Sequence, residues 1–132
     1  VVHGDYRPGN FLFTPEDGQI SAILDWEMAH IGDPLEDIAW AIDPMWPMTR
    51  HMELEQGLAI WSAASGIAVD SHALDWWRLF TALKASVLWL TAAKSFADGQ
   101  SGDMVLVMSA VNAGHIHRSE ILRMMEAQGE MA

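Results

Sequence analysis

The sequence contains no cysteine, which excludes a disulfide framework and a thiolate metal site and suits a reducing cytoplasm. It is poor in positive charge, with 7 Lys and Arg against 18 Asp and Glu in 132 residues and a net charge of −11. No basic cluster stands out, so no nucleic-acid partner is expected. Long apolar runs are missing too. The longest, Ala85 to Ala93, lies between Lys84 and Lys94 and falls short of the ~20 residues a bilayer needs, so no membrane partner is expected. No P-loop, no Gly-x-Gly-x-x-Gly and no His-Glu-x-x-His occurs, and His115-x-His117 on a helix would point its two rings to different sides. The chain opens on Val-Val-His-Gly-Asp without an initiator Met or a secretory signal, and the expectation is a fragment of a longer protein.

What is present is an apolar fraction of 51%, with 7 Trp and 9 Met, enough to close the core of one domain over residues 1–132. The chain is organised around His3 to Glu27. Phe11-Leu12-Phe13 and Ile20 to Leu24 read as two strands, and Thr14 to Gln19 supplies Pro and Gly turn chemistry between them. Folded as a hairpin, this stretch brings Asn10 and Asp25 together at its open end. Asp5 lies upstream in a loop that Pro8 and Gly9 keep out of helix. Three oxygen-bearing side chains from separate places in the sequence thus converge, which marks a candidate site.

Helical periodicity follows over residues 33–132. Asp33 caps the first helix, Pro34 takes its first position and Glu36 completes a capping-box-like start. Leu35, Ile38, Ala39 and Ile42 form its apolar face, and Asp43-Pro44 ends it. The apolar connector Met45-Trp46-Pro47-Met48 follows. A second helix is expected from about Arg50 to Ala64, burying Leu54, Leu58 and Trp61, with Gly66 ending it. A third is expected over Ser71 to Ala97, burying Leu74, Trp77, Leu83, Val87, Leu88 and Leu90. The fourth runs from Ser101-Gly102-Asp103 to about Gln128, disturbed near Asn112-Ala113-Gly114. The predicted class is therefore α+β and mostly α, a short β-hairpin followed by a helical bundle.

His3-Gly4-Asp5, then Asn10, a hairpin and Asp25, has the layout of the protein-kinase catalytic loop and its metal-binding Asp. Asp25-Trp26-Glu27 stands where those kinases carry Asp-Phe-Gly. With Gly32-Asp33-Pro34-Leu35-Glu36-Asp37-Ile38-Ala39 following, residues 3–42 closely resemble the aminoglycoside phosphotransferase family of small-molecule kinases. Tyr6-Arg7-Pro8-Gly9 and the Asp-Trp-Glu variant look most like its acyl-CoA-dehydrogenase-associated branch. Beyond residue 42 the resemblance is compositional.

The resemblance implies a protein-kinase-like C-terminal lobe that uses ATP and Mg²⁺ to phosphorylate a hydroxyl of a small molecule. Asp5 would orient that hydroxyl and take its proton late, with an Asx-turn as the plain alternative. Asn10 and Asp25 would hold Mg²⁺ and so the nucleotide. An Asp25 buried after Ala-Ile-Leu would be costly without a cation. His3 is expected to hold the loop, Asp33 to cap its helix and Asp37 to bond the loop backbone. Arg7 can place phosphate or substrate or be an ordinary loop arginine, and Glu27 lies at the edge of the site.

The phosphate-holding Lys, its Glu partner and a Gly-rich loop are not found in this sequence, so the N-terminal lobe is taken to be absent from the fragment. Left uncovered, the surface around Phe11, Phe13, Ile23 and Trp26 is expected to drive self-association of an inactive fragment. A non-catalytic helical interaction module that keeps the motif as scaffold is the alternative. A metallophosphoesterase fits less well, because Asp70-Ser71-His72 comes too late and no Asn-His occurs. The resemblance permits aminoglycosides, other amino-alcohols or a hydroxyacyl thioester as acceptor.

Overall fold

Short polar turns alternate with β-favouring triplets near the start of the chain, and long apolar-rich stretches follow; the secondary structure divides accordingly. The computed structural model describes residues 1–46 and 51–130. Strands β1 (Phe11–Phe13) and β2 (Ile20–Ile23) precede helices α1 (Leu35–Ala41), α2 (Leu54–Ser65), α3 (Ser71–Ala97) and α4 (Met104–Glu130). Single 3₁₀ turns, Pro8–Asn10 and Trp26–Met28, flank the hairpin. The class is α+β and mostly α, as the sequence predicts.

The strands pair antiparallel as Phe11↔Ile23, Leu12↔Ala22 and Phe13↔Ile20, with an irregularity after Leu12. Thr14 closes the turn by accepting from the Gly18 N–H and donating its own N–H to the Gln19 carbonyl, both at 2.9 Å. Pairing continues one step past the strands, where the Leu24 N–H donates to the Asn10 carbonyl at 2.8 Å. That last bond sets the open end of the hairpin in register.

The chain divides into two compact units, Val1–Arg78 and Leu79–Ala132. In the first, Ile38, Ala39 and Leu74 form a buried cluster on which Ile42, Leu58, Trp61, Val69 and Trp77 pack. Helix α1 is buried nearly all round, with Leu35, Glu36 and Ile38 through Ala41 inside. In the second unit Thr81, Ala82, Ala85, Ala113, His117 and Met124 are buried, and the Trp89 indole N–H reaches His117 Nδ1 at 3.2 Å.

Several helical expectations need correction. Asp33 does cap α1, its Oδ1 accepting from the Leu35 N–H at 2.9 Å, and Glu36 is buried with a bond to His30 Nε2 at 3.0 Å. Helix α2 begins at Leu54 because Glu53 is extended (φ −62°, ψ 144°); Arg50, Pro47 and Met48 lie outside the described residues. Gly66 ends α2 with a left-handed φ of 73°. Leu83, Val87, Leu88 and Leu90 are exposed, while Leu74, Thr81, Ala82 and Ala85 are the buried residues of α3. This helix is apolar on every side, so bulk and hydropathy do not single out the packed face, and small side chains occupy it. Helix α4 runs through Asn112-Ala113-Gly114 without a break.

Candidate active site

The site rests on a clamp between the first loop and α1. Asp37, in the first turn of α1, accepts the His3 N–H at 2.7 Å and the Gly4 N–H at 2.9 Å, one on each carboxylate oxygen. Gly4 has φ 83°, and a Cβ there would lie 2.7 Å from the Met28 carbonyl oxygen, so only glycine fits. The His3 ring is 2% exposed. Its Nε2–H donates to the Leu24 carbonyl at 2.8 Å, and Nδ1 accepts the Asp5 N–H at 3.2 Å. A single tautomer, protonated on Nε2, satisfies both bonds. His3 thereby ties the loop to the end of the hairpin. Val2, pairing with His30 as an isolated antiparallel bridge, fixes the same loop from its other side.

That clamp sets Asp5 beside Asn10. The Asn10 amide donates to Asp5 Oδ2 at 2.7 Å and to the Asp5 carbonyl at 2.8 Å. Both neighbours are acceptors, so the amide nitrogen must face them, and Oδ1 makes no hydrogen bond among the described residues. Arg7 Nε straddles the Asp5 carboxylate at 3.0 and 3.2 Å, and its guanidinium lies 5.7 Å from the centre of the Trp46 ring. The indole N–H of Trp40, on α1, donates to Asp5 Oδ1 at 2.8 Å. Trp40 was missed in the sequence. The available signal was its place three residues after Asp37, on the face of α1 that meets the loop, together with the need of a buried indole N–H for a partner.

Asp25 stands one residue past the Leu24–Asn10 backbone pair, so it shares the open end of the hairpin with Asn10. It is exposed, and its carboxylate has no partner among the described residues. Asp25 is therefore not a buried charge that needs a cation to offset its desolvation. A different feature singles it out: with φ 64° and ψ 58° it is the only non-glycine residue at positive φ among those described. Aspartate tolerates that region better than most residues, at roughly 1 kcal/mol. Glu27 is exposed on the next 3₁₀ turn, and Asp33 is engaged at the start of α1.

Tyr6 is half-buried between the loop and α1. Burial, and next the negative charge of Asp37, push its hydroxyl above the usual phenol range. Tyr6 also lines an apolar cavity of about 260 Å³ with Ile38, Ile42, Leu58 and Trp61. Among the described residues no group of three or more His, Asp or Glu is gathered as a metal cage, and no helix is long and apolar enough to cross a membrane.

Residues 1–77 match the Phosphotransferase enzyme family, and the chain belongs to that family. It is 32% identical over 97 residues to human acyl-CoA dehydrogenase family member 11, covering 63% of this chain and 12% of that protein. It is 46% identical over 41 residues to mouse acyl-CoA dehydrogenase family member 10, covering 31% of this chain and 4% of that protein. Viomycin phosphotransferase of Streptomyces vinaceus is 46% identical over 41 residues, 30% of this chain and 14% of that enzyme. The chain thus spans a small part of each of these relatives. No solved structure matches it.

Proposed function

We propose that this chain is a catalytic lobe that moves the γ-phosphoryl group of ATP to a hydroxyl of a small molecule. The observation that carries this is the Asp5–Asn10 pair, held at 2.7 Å by a loop that Asp37 and His3 clamp to α1 and to the hairpin. Membership of the phosphotransferase family and the likeness to an enzyme named for phosphotransfer support the reaction class.

In the step, the acceptor oxygen forms a bond to the γ-phosphorus while the bond from that phosphorus to the β–γ bridging oxygen breaks, and ADP leaves with the electron pair. The acceptor's proton passes to the Asp5 carboxylate. A carboxylate is too weak a base to ionise an alcohol in advance, so it orients the O–H and accepts the proton as the phosphoryl group departs. Asn10 Oδ1 and the Asp25 carboxylate are hard oxygen donors without a hydrogen-bond partner among the described residues, which fits Mg²⁺ completed by phosphate and water. Magnesium there would neutralise charge on the phosphates. The Lys and Gly-rich cover for the phosphates would come from a partner lobe outside these residues. We place the reaction in the cytoplasm, where ATP is plentiful and a cysteine-free chain is at no disadvantage.

The test is ATP-dependent phosphorylation by the full-length protein across aminoglycosides, simpler amino-alcohols and hydroxyacyl thioesters. Transfer to at least one acceptor, abolished by Asp5→Asn and requiring Mg²⁺, is expected. Absence of transfer across the panel, or transfer unaffected by Asp5→Asn, overturns the proposal.

A further inference from the structure

An aspartate that must meet an incoming hydroxyl works best when its carboxylate cannot turn. A carboxylate offers about four lone-pair positions, and at Asp5 they meet three donors. Trp40 Nε1 binds Oδ1 at 2.8 Å and Asn10 Nδ2 binds Oδ2 at 2.7 Å, while Arg7 Nε bridges the two oxygens. The donors differ in how firmly they are held. The Arg7 side chain is 35% exposed and sits astride both oxygens, so it fixes neither. Trp40 and Asn10 are 3% and 5% exposed. Each holds one oxygen without contributing a charge.

Trp40 is itself fixed. Its carbonyl accepts the Trp46 indole N–H at 2.6 Å, and the two rings lie 5.1 Å apart. It stands on the same short helix as Asp37, whose carboxylate holds the backbone of residues 3 and 4. Helix α1 therefore sets both the backbone next to Asp5 and one of its carboxylate oxygens.

We propose that Trp40 is a positioning residue for phosphoryl transfer. Its indole N–H pins Asp5 Oδ1 against the pull of Asn10 on Oδ2, so the carboxylate presents one fixed edge to the acceptor. The inference rests on the phosphotransfer reading. It assigns Trp40 no contact with substrate, so removal of the N–H acts on turnover and leaves binding alone.

The test replaces Trp40 in the full-length protein in two ways. Trp40→Phe removes the donor and part of the ring; site-specific benzothienylalanine keeps the ring shape and puts sulfur where the N–H was. Both are expected to lower kcat by about 10-fold or more, since small displacements of a reacting group carry losses of that order, with the KM values for acceptor and ATP held within about 3-fold. In amide and indole NMR spectra the Trp40 indole proton is expected to exchange slowly and to lose that protection in Asp5→Ala. A benzothienylalanine protein with parental kcat overturns the inference while leaving phosphotransfer intact, as does a Trp40 indole proton indifferent to Asp5→Ala. No transfer by the unsubstituted protein overturns the phosphotransfer reading and this inference together.

Discussion

The first loop with α1 and the pair α3–α4 use burial differently, although Thr81 and His117 are buried polar side chains in the second. Around the loop, polar groups are inside: His3, Asn10, Glu36 and Asp43 are all 5% exposed or less. Each has a named partner, in Leu24, Asp5, His30 and the Met45 N–H respectively. In residues 79–130 large apolar side chains are outside, with Leu90, Val105 and Val111 each at least 68% exposed. Burying a polar group without a partner is expensive, so every buried polar group near the loop fixes a distance and an angle. An exposed leucine fixes nothing. The difference locates the region where geometry is specified atom by atom, and it is the region that carries the family match.

The largest way to sharpen that contrast is to neutralise one carboxylate on each side of it. Asp5→Asn is expected to lower phosphoryl transfer by about 10²–10⁴-fold, the usual size of a general acid–base contribution. Glu126→Gln, on the exposed side of α4, is expected to leave kcat where it was. Steady-state kinetics with thermal melts of both variants decides it; equal losses would dissolve the contrast.

A stability measurement comes next in size. Asp37→Ala strips the carboxylate from two backbone N–H groups bound at 2.7 and 2.9 Å. Bonds to a charged acceptor contribute about 1.5–3 kcal/mol each, and partial exposure reduces the sum, so a loss of about 2–3 kcal/mol is expected in denaturant unfolding. A change below about 0.5 kcal/mol would mean that the clamp is not rigid in solution.

How much of this was legible in sequence follows the same division. The hairpin, its turn and the convergence of Asp5 with Asn10 could be read because Pro, Gly and alternating apolar residues act locally. The ends of α3 could be read for the same reason, from Ser71 and from Asp98-Gly99. Asp37 bonding the loop backbone was expected from the family resemblance, not from any local pattern. Trp40 was not, because a tryptophan in an apolar helix looks the same whether its N–H meets solvent or a carboxylate. The exposed positions of α3 were misassigned because Leu, Trp and Val occur on all its sides. Asp25 was expected to be buried, since nothing local announces that a strand end faces solvent.

A third test uses the single tyrosine of the sequence. The Tyr6 phenol is raised by burial and then by Asp37. A raised folded value contributes stability that is complete below the unfolded phenol value and is lost as pH rises through the folded one. Phenolate absorbance of the native chain is therefore expected to develop at higher pH than in the denatured chain, and Asp37→Ala is expected to move it part of the way back. Native and denatured titrations that coincide would place Tyr6 in open solvent and weaken the picture of a packed loop.

The smallest expected effect lies on the other side of the contrast. Leu90 and Val105 are 70% and 73% exposed, so replacing either with Ser removes little apolar area that folding had withdrawn from water. Helix propensity changes by a few tenths of a kcal/mol at most, and exposed substitutions of this kind usually stay within about 0.5 kcal/mol. Leu90→Ser and Val105→Ser are therefore expected to unfold at nearly the parental denaturant midpoint, and to depend on protein concentration no more than the parent does. A loss above about 1.5 kcal/mol that grows with concentration would have a definite meaning. Association stabilises a folded state by mass action, so such a result would show these side chains buried against another molecule. The exposed face of residues 79–130 would then be a specified surface like the loop, and the contrast would fail.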